Sequence, residues 1–185
     1  MNLLLFAGSL RQDSYNRKLL AVAKELLSEI PDITVTVADL KTLAFPVYDG
    51  DIEAAGMPES VKSLGQMIQA ADGLVIASPE YNASISSPLK NAIDWVSRLR
   101  PVPFERKPVL LMGTSPGAFG SIRGLGYTRA PFETLGSFLY PQPFAVPKAA
   151  EAFSLTGDLV DSATKQKLKT VLQNYVYFAH SLSGK

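Results

Sequence analysis

Three short, uninterrupted apolar runs constrain what this chain can fold into. They occupy residues 3–7, 73–77 and 109–113 and contain no polar side chain. A run of this length without alternation is typical of a strand buried on both faces, as in a parallel sheet covered by helices. Two weaker strand patterns, at residues 33–37 and 144–146, bring the predicted number of strands to five.

The segments between these strands have the apolar spacing of amphipathic helices. Ser14, Pro58 and Pro88 are residues typical of a helix start. Helices are therefore predicted at residues 15–30, 58–71, 88–99, 130–136 and 159–182. Residues 40–56 are predicted to form a long irregular connection. Strands that alternate with helices predict a single α/β domain, residues 1–185, with a doubly wound five-stranded parallel sheet and helices on both faces.

The composition excludes several kinds of redox and metal chemistry. The chain has no cysteine, which excludes disulfides, iron–sulfur clusters and cysteine nucleophiles, and one histidine, His180, cannot form a histidine-rich metal site. Any redox chemistry must then come from a bound organic cofactor. The net charge of +1 does not attract nucleic acid or an anionic membrane, and no apolar run approaches the length of a membrane span. We expect a cytoplasmic protein without a metal site.

Three loops at the carboxyl ends of predicted strands are candidate parts of a binding site. They comprise residues 8–16, 78–84 and 114–120. In an open α/β sheet, ligands bind beyond the carboxyl ends of the strands, where the strand order reverses. In the order 2-1-3-4-5, which is that of the flavodoxin-like fold, the first, third and fourth strands are neighbours. We therefore expect the three loops to meet at one crevice.

The first loop has the composition of a phosphate site. It leads into a helix N-terminus, where free backbone N–H groups and the helix dipole favour an anion. Ser9 and Ser14 add hydroxyl groups, and Asn16 adds an amide. Arg11 adds a permanent charge on a forked donor. The loop lacks the P-loop and G-x-G-x-x-G patterns, so ATP, and NAD held in the Rossmann manner, are disfavoured. The alternative is a capped helix with a solvated arginine.

The second loop offers a surface for the flat ring of a flavin. Tyr81, close to Pro79, can cover a ring face, and Asn82 can bond the pyrimidine edge. A carboxylate beside the negative charge that develops on a flavin is unfavourable. The side chain of Glu80 is therefore expected to turn away from the ring and to structure the loop.

The third loop is rich in glycine. Gly117 lets the backbone approach a flat ring, and Ser115 with nearby backbone N–H groups can stabilise charge on it. The alternative for this loop is a flexible turn.

Two stretches resemble the signatures of the NAD(P)H-dependent FMN reductases, a family that includes quinone, azo and chromate reductases. One is Gly-Ser-Leu-Arg-x-x-Ser-x-Asn at residues 8–16. The other is Ser-Pro-Glu-Tyr-Asn-x-Ser at residues 78–84, followed by Pro-Leu-Lys-Asn-Ala-x-Asp-Trp at residues 88–95. The resemblance implies that the FMN phosphate is held by Ser9, Arg11, Ser14 and Asn16, the ring and ribityl chain by Pro79, Glu80, Tyr81 and Asn82, and the rest of the site by Ser115 and Gly117.

The resemblance also implies an enzyme in which the cofactor carries the chemistry, so no side chain is expected to be a catalytic acid or base. NADPH or NADH would deliver hydride to bound FMN. A small oxidant, such as a quinone, an azo compound, chromate or free flavin, would then take the electrons in a ping-pong scheme. Two alternatives stay open. One is a flavodoxin-type electron carrier, although such carriers are strongly acidic and this chain is not; the other is an FMN-binding sensor without turnover.

Several charged residues outside these loops have two interpretations. Lys90 and Asp94 are spaced as an i,i+4 pair, either on a helix surface or at an interface. A loose basic cluster near the same helix is either a solvated face or a contact for the 2′-phosphate of NADPH. Its members are Arg98, Arg100, Arg106 and Lys107. His180 is expected to be a surface or packing residue.

Aromatic residues suggest that copies of the chain associate. Trp95 lies near the end of a predicted helix, and Phe132, Phe138, Tyr140 and Phe144 follow within a short region. This is more aromatic surface than one thin segment easily buries, and such surface often marks an interface. We expect a homodimer or a homotetramer, as the family resemblance also implies.

Overall fold

The computed structural model describes residues 1–182 of the chain. Its strands are β1 (Asn2–Ala7), β2 (Thr34–Ala38), β3 (Gly73–Ala77), β4 (Glu80–Tyr81), β5 (Ser84–Ile85), β6 (Pro108–Thr114), β7 (Phe138–Leu139) and β8 (Phe144–Val146). Its helices are α1 (Tyr15–Ser28), α2 (Leu40–Leu43), α3 (Gly50–Ala55), α4 (Glu59–Ala70), α5 (Ser87–Val96), α6 (Ile122–Thr134), α7 (Ala149–Ala152) and α8 (Ser162–Leu182).

A parallel sheet forms the centre of the molecule, in the order β2-β1-β3-β6, and both β7 and β8 pair with the outer side of β6. β7 pairs with the start of β6, and β8 pairs with its end. Between β7 and β8 lie Pro141 and Pro143, which have no backbone N–H to donate. Since β7 and β8 are two halves of one edge strand, the order is the predicted 2-1-3-4-5 of the flavodoxin-like fold.

Helices cover both faces of the sheet because alternate residues of a strand point to opposite sides. Leu3 and Leu5 of β1 pack in one core with residues of α1 and α8. Leu4 and Phe6 pack in a second core with residues of α4, α5 and α6. Each strand in the middle of the sheet therefore faces apolar residues on both sides, which explains the uninterrupted apolar runs.

The differences from the sequence prediction lie mainly in the connections. The segment 40–56 is not irregular throughout, because it contains α2 and α3. These helices begin after Asp39 and Asp49, whose carboxylates accept hydrogen bonds from the backbone N–H two residues later, at 2.9 and 2.8 Å. Helix α6 begins at Ile122, within the glycine-rich residues 117–126, rather than near residue 130. A short antiparallel hairpin, β4–β5, was not predicted. Within residues 1–182, no helix has the length and apolar character needed to cross a membrane.

Candidate functional site

The three predicted loops meet at one cavity of about 160 Å³ at the carboxyl edge of the sheet. The cavity lies beyond the ends of β1, β3 and β6, which are neighbours in the sheet. It is lined by Ser9, Arg11, Ser14, Tyr15, Asn16, Pro79, Glu80, Tyr81, Thr114, Ser115 and Pro116. Of the predicted site residues, only Asn82 and Gly117 do not border it. The structure therefore brings together residues from loops that are far apart in the sequence.

The end of the cavity at α1 has the features of an anion site. Ser14 is the N-cap of α1 with extended backbone, yet its hydroxyl makes no capping hydrogen bond. The first hydrogen bond of the helix joins Lys18 N–H to the Ser14 carbonyl at 3.0 Å, so the N–H groups of residues 15–17 precede it. Ser9 and Ser14 are both buried, whereas Arg11 is exposed. Backbone donors, two hydroxyl groups and one guanidinium thus surround this end, as phosphate binding requires.

The side chain of Asn16 is hydrogen-bonded to the backbone at the end of β6. Its side-chain amide donates to the Thr114 carbonyl at 2.9 Å and accepts from the Thr114 N–H at 3.0 Å. Both residues are buried. The Thr114 hydroxyl in turn donates to the Val146 carbonyl at 2.7 Å. Asn16 therefore joins the start of α1 to the end of β6, and its side chain shapes the cavity rather than presenting a free donor pair to a ligand.

The second loop forms the β4–β5 hairpin, whose turn residues Asn82 and Ala83 have φ values of 50° and 63°. Positive φ at both positions is the signature of the tight two-residue hairpin turn. The turn places Asn82 at the tip, outside the cavity wall, while Tyr81 borders the cavity and stays 42% exposed. A half-exposed aromatic ring at a cavity mouth provides a surface on which a flat ligand can stack.

The side chain of Glu80 turns to α6, as expected from its charge. Its carboxylate accepts hydrogen bonds from Arg123 Nε and from the Gly124 N–H, each at 3.0 Å. Burial raises the pKa of the Glu80 carboxyl, but the hydrogen bonds from Gly124 and Arg123 outweigh it and hold the pKa below its usual value. Glu80 is therefore an ionised residue that structures the loop.

The third loop is attached to the segment that follows β8. The Gly117 carbonyl accepts from the Lys148 N–H, and the Ser115 carbonyl accepts from the Ala149 N–H, both at 3.0 Å. Gly120 has a φ of 57°, and a Cβ there would lie 2.6 Å from Val146 and Pro147 backbone atoms. The loop is thus a supported turn, in which Ser115 reaches the cavity and Gly117 does not.

Sequence reasoning missed three residues that line the cavity, Tyr15, Thr114 and Pro116. Tyr15 directly follows the N-cap of α1, and its ring stacks on Phe153 at 5.9 Å. Its position beside Ser14 was the signal available in the sequence. The contribution of Thr114 is through its backbone, which residue type does not indicate.

The basic residues near the third predicted helix differ in their contacts. Arg98 pairs with Glu53 at 3.0 Å. Arg106 and Lys107 precede β6, so they lie at the edge of the sheet opposite the cavity, about 20 Å away for a strand of seven residues. The Lys107 ammonium donates to the carbonyls of Gln69 and Ala71. Arg106 and Lys107 therefore do not border this cavity, and a contact of the basic residues with the 2′-phosphate of NADPH stays a prediction.

The other candidate residues outside the three loops are packing or surface residues. Lys90 and Asp94 form the expected pair on α5, at 2.7 Å, and His180 is exposed on α8. Trp95 is fully buried and donates to the Pro46 carbonyl at 2.8 Å. Within residues 1–182, no group of His, Asp and Glu side chains could hold a metal ion.

The aromatic residues proposed for an interface are only partly available for one. Phe132 is fully buried against Phe104, and Phe144 is also buried. Tyr140 packs edge-on against Tyr175 and, like Phe138, is half-buried. The fold therefore buries two of these four rings without a second chain, and the association of copies stays a prediction.

Comparison with known proteins agrees with this geometry. Residues 1–151 match the family model described as NADPH-dependent FMN reductase. An NAD(P)H-dependent FMN reductase of Pseudomonas aeruginosa is 37% identical over 183 residues, covering 96% of this chain and 95% of that protein. An NADPH:quinone oxidoreductase of Arabidopsis thaliana is 36% identical over 193 residues, covering 97% and 92%. The flavoenzyme NAD(P)H:(acceptor) oxidoreductase FerB from Paracoccus denitrificans superposes with a TM-score of 0.85 at 30% identity, covering 97% of each chain.

Proposed function

Because the chain belongs to the family of NADPH-dependent FMN reductases, we propose that its cavity holds FMN and that NAD(P)H and a small oxidant react there in turn. The chain is an oxidoreductase that uses FMN and NAD(P)H. The convergence of three separate loops on one cavity is the observation that carries the proposed site. Both helical layers pack on the same sheet, which supports residues 1–185 acting as one domain. We place the reaction in the cytoplasm, where NAD(P)H is supplied.

The residues around the cavity fit FMN. When bound, FMN supplies the hydride chemistry that the side chains of this chain do not provide. The buried hydroxyls of Ser9 and Ser14, the first N–H groups of α1 and the Arg11 guanidinium would hold the phosphate. Tyr81 and Pro79 would cover part of the ring. Asn16 would act by holding the end of β6 in place.

Asn82 and Gly117 lie beside the cavity but do not line it. Asn82 is exposed at the hairpin tip, and Gly117 is exposed in the third loop. We propose that each contacts only the part of the cofactor that extends beyond the cavity.

The cavity is too small to enclose FMN. Pockets that enclose a small-molecule ligand measure about 300–1,000 Å³, whereas this cavity measures about 160 Å³. A bound FMN would therefore extend beyond the cavity, and we propose that one of its ring faces is open. An open face would admit NAD(P)H and then an oxidant, and since both would need the same face, they would bind in turn. The proposed scheme is therefore ping-pong.

The oxidant is proposed to be a quinone or another small, flat acceptor, such as an azo compound or free flavin, with chromate as a further substrate. One relative is named as an NADPH:quinone oxidoreductase and FerB as an NAD(P)H:(acceptor) oxidoreductase. A site whose ring face is open has little to select among flat oxidants by shape.

A homodimer or homotetramer is proposed on different residues from those that the sequence suggested. Phe119, just before α6, is 58% exposed, and Ile122 and Tyr127 of α6 are 40% and 64% exposed. A group of large exposed apolar side chains is typical of a surface that a partner covers. A second copy on this face would lie beside the β4–β5 hairpin, since Glu80 of the hairpin contacts the start of α6.

The proposal is tested by adding NADPH or NADH anaerobically to the FMN-loaded protein and following the oxidised-flavin absorbance by stopped flow. We expect loss of the absorbance with either or both donors and its return when a quinone is added. Steady-state rates against both substrates should give parallel double-reciprocal lines.

Two results would contradict parts of this proposal separately. If neither donor bleaches the flavin, the reductase function fails and the carrier or sensor takes its place. If bleaching occurs but the double-reciprocal lines intersect, the reductase function is supported, and the proposal that both substrates use the same ring face is contradicted.

A further inference from the structure

The β4–β5 hairpin carries Tyr81 at the cavity but is too small to hold its own position. It consists of two residue pairs, Glu80 with Ile85 and Tyr81 with Ser84. An isolated two-stranded hairpin is at best marginally stable in water. The place of Tyr81 must therefore be set by contacts that the hairpin makes with the rest of the chain.

Those contacts come from the first turn of α6. The Glu80 side chain is only 8% exposed and accepts from Arg123 Nε, Arg123 Nη2 and the Gly124 N–H, at 3.0, 2.5 and 3.0 Å. Gly124 permits this approach, because a Cβ there would lie 2.9 Å from the Ser84 carbonyl oxygen and 3.0 Å from Glu80 Cα. A charge-assisted hydrogen-bond cluster and close backbone packing thus join the hairpin to α6.

The same contacts cancel two charges beside the cavity. Glu80 borders the cavity, and Arg123 is the cation paired with it. Arg123 also lies over the Phe119 ring, 4.7 Å from its centroid, a cation–π contact that further restrains the guanidinium. A lone carboxylate here would oppose reduction of a flavin, and a lone guanidinium would favour it, whereas the pair does neither.

We propose that Glu80 is a positioning residue, which clamps the β4–β5 hairpin to the start of α6, sets the place of Tyr81 against bound FMN and neutralises Arg123 beside the ring. The proposal rests on FMN binding in the cavity, but the clamp itself exists in the FMN-free chain and can be measured there. Glu80 acts through the hairpin and through Arg123, not by contact of its carboxylate with the cofactor.

Two variants separate the two parts of this role. Glu80→Gln keeps the side-chain length but removes the charge, which frees the charge of Arg123. Gly124→Ala keeps both charges but forces the hairpin away from α6. Each has a matched control on the same helix: Glu133→Gln breaks the exposed Arg129–Glu133 pair, and Gly126→Ala adds a Cβ where nothing lies within 4 Å.

Hydrogen exchange of the hairpin amides in the FMN-free protein is the first measurement. We expect faster exchange at residues 80–85 in Glu80→Gln and in Gly124→Ala, and wild-type exchange in both controls. FMN affinity, measured by fluorescence titration, should fall about 10-fold in the first two variants, equivalent to about 1.4 kcal/mol. In the wild type, affinity should also fall as acid protonates Glu80, because its carboxyl has a lowered pKa and the clamp is present only above that pKa. In Glu80→Gln this acid dependence should be weaker than in the wild type.

The flavin reduction potential is the second measurement, and it distinguishes positioning from charge. Reduction adds negative charge, so the freed Arg123 in Glu80→Gln should make the potential more positive. Gly124→Ala retains both charges, so its potential should shift less than that of Glu80→Gln. If hairpin exchange is unchanged in both Glu80→Gln and Gly124→Ala, or if the controls loosen it equally, the clamp is refuted even if FMN binds. If the chain binds no FMN, the proposed function fails while hydrogen exchange still decides the clamp.

Discussion

Replacing Arg11 by alanine should weaken FMN binding about 10- to 100-fold while leaving the fold intact. The side chain borders the cavity at the start of α1 and is exposed, and within residues 1–182 it takes part in no ion pair. Its removal therefore breaks nothing in the protein itself. A hydrogen bond to a charged group contributes about 1.5–3 kcal/mol, and tenfold in affinity corresponds to about 1.4 kcal/mol. Because the guanidinium is exposed, solvent screening favours the lower end of that range.

The assay is a titration of FMN-free protein with FMN, followed by flavin fluorescence at low and at high salt. Lys24→Ala is the matched control, because it also removes one positive charge from the N-terminal part of the chain. Lys24 lies nine residues after Tyr15 in α1, about 13 Å further along the helix axis. The loss in Arg11→Ala should shrink at about 1 M salt, where the Debye length is about 3 Å. An affinity equal to that of the control at low salt would refute the assignment of Arg11 to the phosphate.

Three further predictions concern the support of the site and the assembly of the chain. Asn16→Ala leaves the buried N–H and carbonyl of Thr114 without their partners, so it should lower the free energy of unfolding in urea by about 2–5 kcal/mol and weaken FMN binding. An unchanged urea midpoint would contradict this. Tyr175→Phe removes a buried hydroxyl whose single proton is shared between two main-chain carbonyls at the opposite edge of the sheet. It should lower the free energy of unfolding in urea by about 1–3 kcal/mol without changing FMN affinity, and a loss of affinity would show that the two edges are coupled. The wild type should sediment as a dimer or tetramer and the double variant Ile122→Lys, Tyr127→Lys as a smaller species; a wild type at 20.0 kDa would remove the proposed interface.

The hydrophobic pattern by itself determined the parallel sheet. Residues 73–77 were predicted and observed as a strand with the same limits, because burial on both faces leaves a run without polar residues. The three candidate loops followed from the same pattern, since the end of a strand is visible in the sequence. The fold class then placed the loops at one edge.

Tertiary packing decided what each loop residue does. The partner of the Asn16 amide is Thr114, 98 residues away, and the partner of Glu80 is Arg123, 43 residues away. Residue type shows that an amide or a carboxylate can bond, but the strand order and the packing of α6 determine which group it meets. For the same reason, Trp95 and Phe132 looked available for an interface and proved to be core.

Local conformation in the connections was also decided by contacts that the sequence does not display. Glycines at 124 and 126 favoured a loop by propensity, yet both lie inside α6. Gly124 is where the hairpin backbone packs against the helix, so a residue that weakens an isolated helix permits this close contact. The sequence alone thus determined the architecture and the edge of the sheet at which the three candidate loops meet, because apolar periodicity is a local property. The tertiary structure decided the partners of each polar group, because those partners come from segments that only the folded sheet brings together.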